Sequence, residues 1–264
     1  MQTMNPFFRE AGTGPGVVCL HSNASSSSQW RALMDRLAPR FRVLAADAYG
    51  AGRSPPWSAE RQLTLGDEVT LLEPVFERAG DHFALVGHSY GAAVALVAAV
   101  RHPGRIRVLV LYEPTLFALL DAESRPPNDA DGIRRTVASA VGALAGGHHS
   151  VAAGHFIDYW MGPGSWRGMP EPRRGPIEAS IVNIQAWADA LLGEPTPLSA
   201  FQALEIPVLL MAGTDSPASS RGVVRLLAGA LPQVERIELP GLGHMGPITH
   251  PEVVNAAIED FLDR

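Results

Sequence analysis

Six short apolar runs, at residues 17–20, 42–46, 83–86, 108–112, 208–212 and 234–239, constrain the fold of this chain more than any other feature. Amphipathic stretches at 29–37, 65–79, 90–101, 221–230 and 252–262 alternate with them and read as helices. Strand followed by helix followed by strand predicts a mostly parallel sheet, each crossover right-handed. The runs are nearly continuous in their apolar character, as strands covered by helices on both faces must be. At 264 residues the chain is long enough to bury one full core and reads as a single α/β domain carrying an insertion.

The insertion is where the alternation stops. Between about 114 and 206 no core strand is legible, and the composition turns to Pro, Gly, Trp and paired His. Within it, 131–145 and 177–192 are expected to be helices, with the turn-rich segment 161–170 between them as a loop. Additions at the carboxyl edge of an α/β sheet lie where ligands bind, so this interval is read as a cap over the site. Its Phe156, Tyr159, Trp160, Met161, Trp166 and Trp187 are equally suited to lining a pocket or to packing the cap.

The motif that carries chemistry is Gly87-His88-Ser89-Tyr90-Gly91, set between the apolar run 83–86 and the small-residue run 92–100. G-x-S-x-G joining a strand to a helix is a nucleophile elbow, in which the glycines permit close approach and the turn lifts the serine hydroxyl above the sheet edge. Ser89 is therefore the candidate nucleophile. A serine hydroxyl needs a base within hydrogen-bond reach, and the base needs an acid to fix its tautomer. His244, in the loop Gly241-Leu242-Gly243-His244 after the last strand, is the expected base. Asp215, directly after the run 208–212, is the expected acid, and Ser89, Asp215, His244 follow the chain order of such sites. Glu113, directly after the run 108–112, is the rival acid; its bland reading is a strand-end carboxylate that accepts backbone hydrogen bonds. For Asp215 the bland reading is a cap ahead of the helix after Pro217. An oxyanion needs two converging amides, expected from Tyr90 and from the loop His21-Ser22-Asn23-Ala24, with Asn23 first and Ala24 next. The serines at 25–28 read as a turn and N-cap for the helix holding Trp30.

Taken together, these segments resemble the α/β-hydrolase fold family over almost the whole chain. The resemblance rests on the His21 loop, Asp47-Ala48-Tyr49-Gly50-Ala51-Gly52-Arg53-Ser54, the elbow at Ser89, Glu113-Pro114, Gly213-Thr214-Asp215 and Gly243-His244. Where the family usually has Gly after the oxyanion-loop His, this chain has Ser22, and it leaves room for at most one strand before Val17. The resemblance implies a core formed by 1–114 and 206–264 and a helical cap at 115–205. It also implies a serine hydrolase that works without cofactor or metal on a carboxylic ester or related small acyl compound. The fold admits alternatives: hydrolysis of a carbon–carbon bond in a ring-cleavage product, a non-hydrolytic lyase, or a ligand receptor. Family members with an Asp nucleophile are disfavoured by Ser89.

Composition narrows the partners. A net charge of −6 with no clustered basic stripe argues against nucleic acid or an anionic membrane surface and for a small-molecule substrate. His148, His149 and His155 lack an acidic or Cys partner at a metal-site spacing. The single Cys19 lies inside an apolar run and cannot form an intrachain disulfide, which fits a reducing compartment. Met1-Gln2-Thr3-Met4-Asn5-Pro6 shows no basic segment with an apolar run, and the longest apolar stretch falls short of the roughly 20 residues that span a bilayer. A cytoplasmic location is expected. The oligomeric state is not readable.

Overall fold

The computed structural model describes residues 5–58 and 60–264; of the N-terminal segment read above, Met1 to Met4 lie outside the described residues. In chain order the first part contains β1 (Phe8–Ala11), β2 (Gly16–Leu20), α1 (Arg31–Leu37), β3 (Arg42–Ala46), α2 (Leu65–Ala79), β4 (Phe83–His88), α3 (Tyr90–Arg101) and β5 (Ile106–Tyr112). Then come α4 (Ala118–Glu123), α5 (Asp131–Ala145), α6 (His149–Met161), α7 (Ser165–Gly168), α8 (Glu171–Ser180), α9 (Ile184–Leu192) and α10 (Leu198–Gln202). The chain closes with β6 (Val208–Gly213), α11 (Ala218–Ala230), β7 (Val234–Leu239), α12 (Gly246–Thr249) and α13 (Pro251–Leu262).

The strands form one sheet in the order β1-β3-β2-β4-β5-β6-β7, all pairs parallel except the antiparallel β1 and β3. Side chains alternate across it. Val18, Leu20, Leu44, Ala46 and Leu85 face one layer, with Val69, Leu72 and Phe76 of α2, most of α3, and Val223 and Leu227 of α11. Val17, Cys19, Val43, Ala45, Val86 and Met211 face the other, against Leu33 and Leu37 of α1 and Val254 and Ile258 of α13. Two covered faces explain why the central runs lack polar positions, whereas the edge strand β7 carries Glu235, Arg236 and Glu238 and is only partly buried. Burial at Cys19 pushes its thiol far above the usual range, so it packs as a small hydrophobe.

The core elements expected from the sequence begin within three residues of their predicted starts. At α2, Thr64 accepts the Asp67 amide at 3.2 Å while Asp67 accepts the Thr64 amide at 2.9 Å, a reciprocal cap that fixes the start. Ser26 caps the short 3-10 turn that leads to Trp30 and α1. The expected strand at 83–86 continues through His88, delivering the chain directly to Ser89.

The interval between β5 and β6 differs more. α5 matches its expected bounds, whereas α6 falls in a segment to which the sequence assigned no element, and the expected helix over 177–192 is two helices, α8 and α9, joined by a 3-10 turn at Ile181–Asn183. The physical reason is visible in α8: it holds Pro172 in its first turn and Pro176 inside, and buries none of its residues, so no apolar stripe announced it. Among the described residues, no helix is long and apolar enough to cross a membrane.

Candidate active site

Ser89 stands at the junction of β4 and α3 with φ 57 and ψ −116, a left-handed backbone that a non-glycine residue adopts only when its surroundings enforce it. Three contacts do so. The Ser89 amide donates to the Tyr112 carbonyl at 2.9 Å, the Gly91 amide to the His21 carbonyl at 3.1 Å, and the Ala93 amide to the Ser89 carbonyl at 3.0 Å. Both flanking glycines are dictated by space. A Cβ on Gly87 would lie 2.5 Å from the Ala92 Cα, and one on Gly91 would lie 2.3 Å from the Leu20 carbonyl oxygen.

The His244 Nε2 lies 2.9 Å from the Ser89 Oγ, as the sequence predicts. Its acid is a correction: the His244 Nδ1 lies 2.6 Å from the Glu113 Oε2, and Asp215 is not part of the arrangement. Asp215 is exposed; its amide donates to the Leu242 carbonyl at 3.0 Å and its carboxylate accepts from the Thr214 hydroxyl at 3.0 Å. Nor does it cap α11, whose N-cap is Pro217. Sheet order explains the exchange. β5 is hydrogen-bonded to β4, with Tyr112 paired to His88, so Glu113 leaves the sheet beside Ser89, whereas Asp215 leaves from β6, one strand further away.

Glu113 is built to be an anion. It is fully buried, its φ is 45, and its amide donates to the Met211 carbonyl at 3.0 Å. Its Oε1 accepts the Gly213 amide at 2.7 Å and the Ser216 hydroxyl at 2.5 Å. Burial alone raises a carboxyl group's pKa; here the hydrogen bond and charge of His244, with the Ser216 and Gly213 donors, outweigh it and hold Glu113 below its ordinary value. With Glu113 as acceptor, the proton of neutral His244 sits on Nδ1 and Nε2 faces Ser89 with its lone pair.

Behind this trio runs a second buried chain that sequence reasoning did not assign. The His88 Nε2 lies 2.8 Å from the His244 carbonyl, which can only accept, so His88 carries its proton there. Its Nδ1 then accepts from the side-chain Nε2 of Gln29 at 3.1 Å, and the Gln29 Oε1 accepts both the backbone amide and the hydroxyl of Ser22 at 3.2 Å. Burial, reinforced by His244, drives the His88 pKa well below the ordinary imidazole value, so the ring stays neutral. The serine in the family's usual glycine position is thus a hydrogen-bonding partner. The left-handed residue of this loop is Ala24, with φ 54, rather than Ser22. His21 holds the loop from its other side, its Nε2 accepting the Ala48 amide at 3.1 Å.

Of the expected oxyanion amides, Tyr90 begins α3 directly after Ser89, and Asn23 lines the same cavity as Ser89. The neighbouring Ser22 and Gly91 amides are engaged by Gln29 and His21, which removes them as donors. The Tyr90 hydroxyl points away, donating to Glu68 at 3.1 Å.

Over Ser89 lies a cavity whose far wall comes from the inserted helices. Phe156, Trp160 and Trp187 line it, and Trp160 stacks on the His244 ring with centroids 3.9 Å apart. The other three candidates do not: Tyr159 bonds to Ser219 of α11 at 2.7 Å, the Trp166 indole reaches Ser150 at 3.3 Å, and Met161 is exposed. Apart from Asn23, Ser89 and Thr115, the lining side chains are apolar.

Comparisons with known proteins bear on the fold. The family model for the alpha/beta hydrolase fold matches residues 15–251. A 2-(acetamidomethylene)succinate hydrolase of Mesorhizobium japonicum is 26% identical over 97% of this chain and 90% of its own length. A pimeloyl-[acyl-carrier protein] methyl ester esterase of Aeromonas hydrophila is 26% identical over 95% of this chain and 96% of its own. The crystal structure of an alpha/beta hydrolase from Sphaerobacter thermophilus superposes with a TM-score of 0.72 at 27% identity, covering 94% of this chain and 95% of that one. A strained serine between two space-limited glycines, a seven-stranded sheet of this order and a family match across the core lead to one assignment: the chain belongs to the alpha/beta hydrolase fold family, as one of its hydrolases.

Proposed function

We propose that this protein is a cofactor-independent serine hydrolase of carboxylic esters or closely related acyl compounds. The observation that carries the reading is the buried chain from the Ser89 Oγ through His244 to Glu113 beneath an apolar cavity. In the mechanism, the Ser89 Oγ attacks the carbonyl carbon while the His244 Nε2 takes its proton. Glu113 stabilises the imidazolium that forms, and the Asn23 and Tyr90 amides receive the oxyanion. His244 returns the proton to the leaving alkoxide. Water, deprotonated by His244, then releases the acyl group from Ser89. The 115–205 interval acts as the cap, its Trp160 shielding one face of His244 from solvent.

The cavity favours an uncharged acyl group. None of its lining side chains is charged, and an unpaired carboxylate in such a place would carry a large desolvation cost. The name of the Mesorhizobium relative implies a dicarboxylate substrate, which this cavity does not suit; the methyl ester named for the Aeromonas relative is nearer in kind. Intact mass after a fluorophosphonate probe tests the reading. One adduct is expected, lost in Ser89→Ala, with turnover of neutral esters also lost. Labelling that persists in Ser89→Ala, or full activity of that variant, refutes it.

A further inference from the structure

Among the side chains that line the cavity, Thr115 carries a hydroxyl that the proposed reaction does not use. Ser89 and Asn23 have roles in attack and oxyanion binding, but Thr115 has none. It is buried, it lines the cavity, and among the described residues its Oγ1 has no hydrogen-bond partner. Its backbone is held, the Thr115 carbonyl accepting the Phe117 amide at 2.8 Å. A buried hydroxyl without a partner is rare in folded proteins and calls for a reason. Valine would fill the same space at no polar cost, so packing does not explain a threonine here.

Position supplies the reason. Tyr112 and His88 are register partners on adjacent strands; Ser89 is one residue beyond His88, and Thr115 three beyond Tyr112. Both therefore leave the same edge of the sheet, at the reacting end of the cavity. The remaining wall, including Ile133, Phe156, Trp187 and Leu191, is hydrocarbon or aromatic. We propose that Thr115 is a substrate-recognition residue, and that the preferred acyl group is uncharged and largely hydrocarbon with one hydrogen-bonding oxygen close to the scissile carbonyl carbon. This rests on the ester-hydrolase reading above. A site built to hydrogen-bond a substrate oxygen discriminates strongly against the analogue that lacks it, because the site's own polar group is then left unpaired.

The test compares p-nitrophenyl hexanoate with p-nitrophenyl propoxyacetate, which differ by a methylene replaced by an ether oxygen. Dividing each variant's kcat/KM by the native value for the same ester cancels the intrinsic reactivity of the ester. Thr115→Val is expected to lower kcat/KM for the propoxyacetate about tenfold more than for the hexanoate, and Thr115→Ser to restore most of the difference. Equal effects of Thr115→Val on the two esters overturn the inference while leaving the hydrolase reading intact. Turnover of neither ester, with Ser89 unreactive to the fluorophosphonate, overturns both.

Discussion

Replacing Glu113 by Gln should disable the site by reversing a histidine tautomer. The Gly213 amide, 2.7 Å from the Glu113 Oε1, can only donate, so the oxygen of a Gln side chain must occupy that position. Its NH2 group then faces the His244 Nδ1, now 2.6 Å from a carboxylate oxygen, and Nδ1 must become the acceptor. The ring proton moves to Nε2, which faces the Ser89 Oγ at 2.9 Å and can no longer take its proton. The imidazolium of the transition state also loses its counter-charge. Inverting this tautomer in a serine triad costs about four orders of magnitude in kcat, or about 5 kcal/mol of transition-state stabilisation. Asp215→Asn removes a charge from an exposed side chain bonded only to its neighbour Thr214 and should change kcat by less than about twofold. The assay is burst and steady-state hydrolysis of a neutral p-nitrophenyl ester, with thermal unfolding to verify that both variants are folded. A large loss in Asp215→Asn together with near-native turnover in Glu113→Gln would refute the assignment.

Two further predictions concern buried groups around the site. Burial raises the Glu68 carboxyl to about 7 despite hydrogen bonds from the Tyr49 amide and Tyr90 hydroxyl, each at 3.1 Å. The folded state then binds more protons than the unfolded state between its ordinary value of 4.5 and about 7, so stability falls as pH rises through that window, by about 3 kcal/mol. Glu68→Gln should flatten that slope in urea unfolding at pH 5 to 8; identical slopes for both proteins would exclude Glu68 as its source. His88→Phe keeps a ring but removes the donor to the His244 carbonyl and the acceptor for Gln29, and is expected to cost about 1–3 kcal/mol of stability. Because the lost bond holds the His244 loop, kcat should fall with little change in KM; native stability and kcat in this variant would show that the buried chain is idle.

The sequence alone determined the sheet, its covered faces and the candidate nucleophile. Continuous apolar runs have no polar side to expose, and Gly87 and Gly91 bracket a turn that admits no Cβ at either place. His244 was legible for the same local reason, in a loop directly after the last core strand. α5 shows an apolar stripe that faces the core, whereas α8, with Pro176 inside it, buries none of its residues. The identity of the acid belonged to tertiary structure. Glu113 and Asp215 each follow a core strand and each fits the order serine, acid, histidine, but hydrogen-bond reach depends on which strand lies beside β4. Lateral order places Glu113 against His244 and surrounds its second oxygen with donors from β6 and Ser216, residues about 100 positions away in the chain. The Ser22–Gln29–His88 chain and the unpartnered Thr115 hydroxyl were hidden likewise, because each is defined by neighbours that only folding brings together.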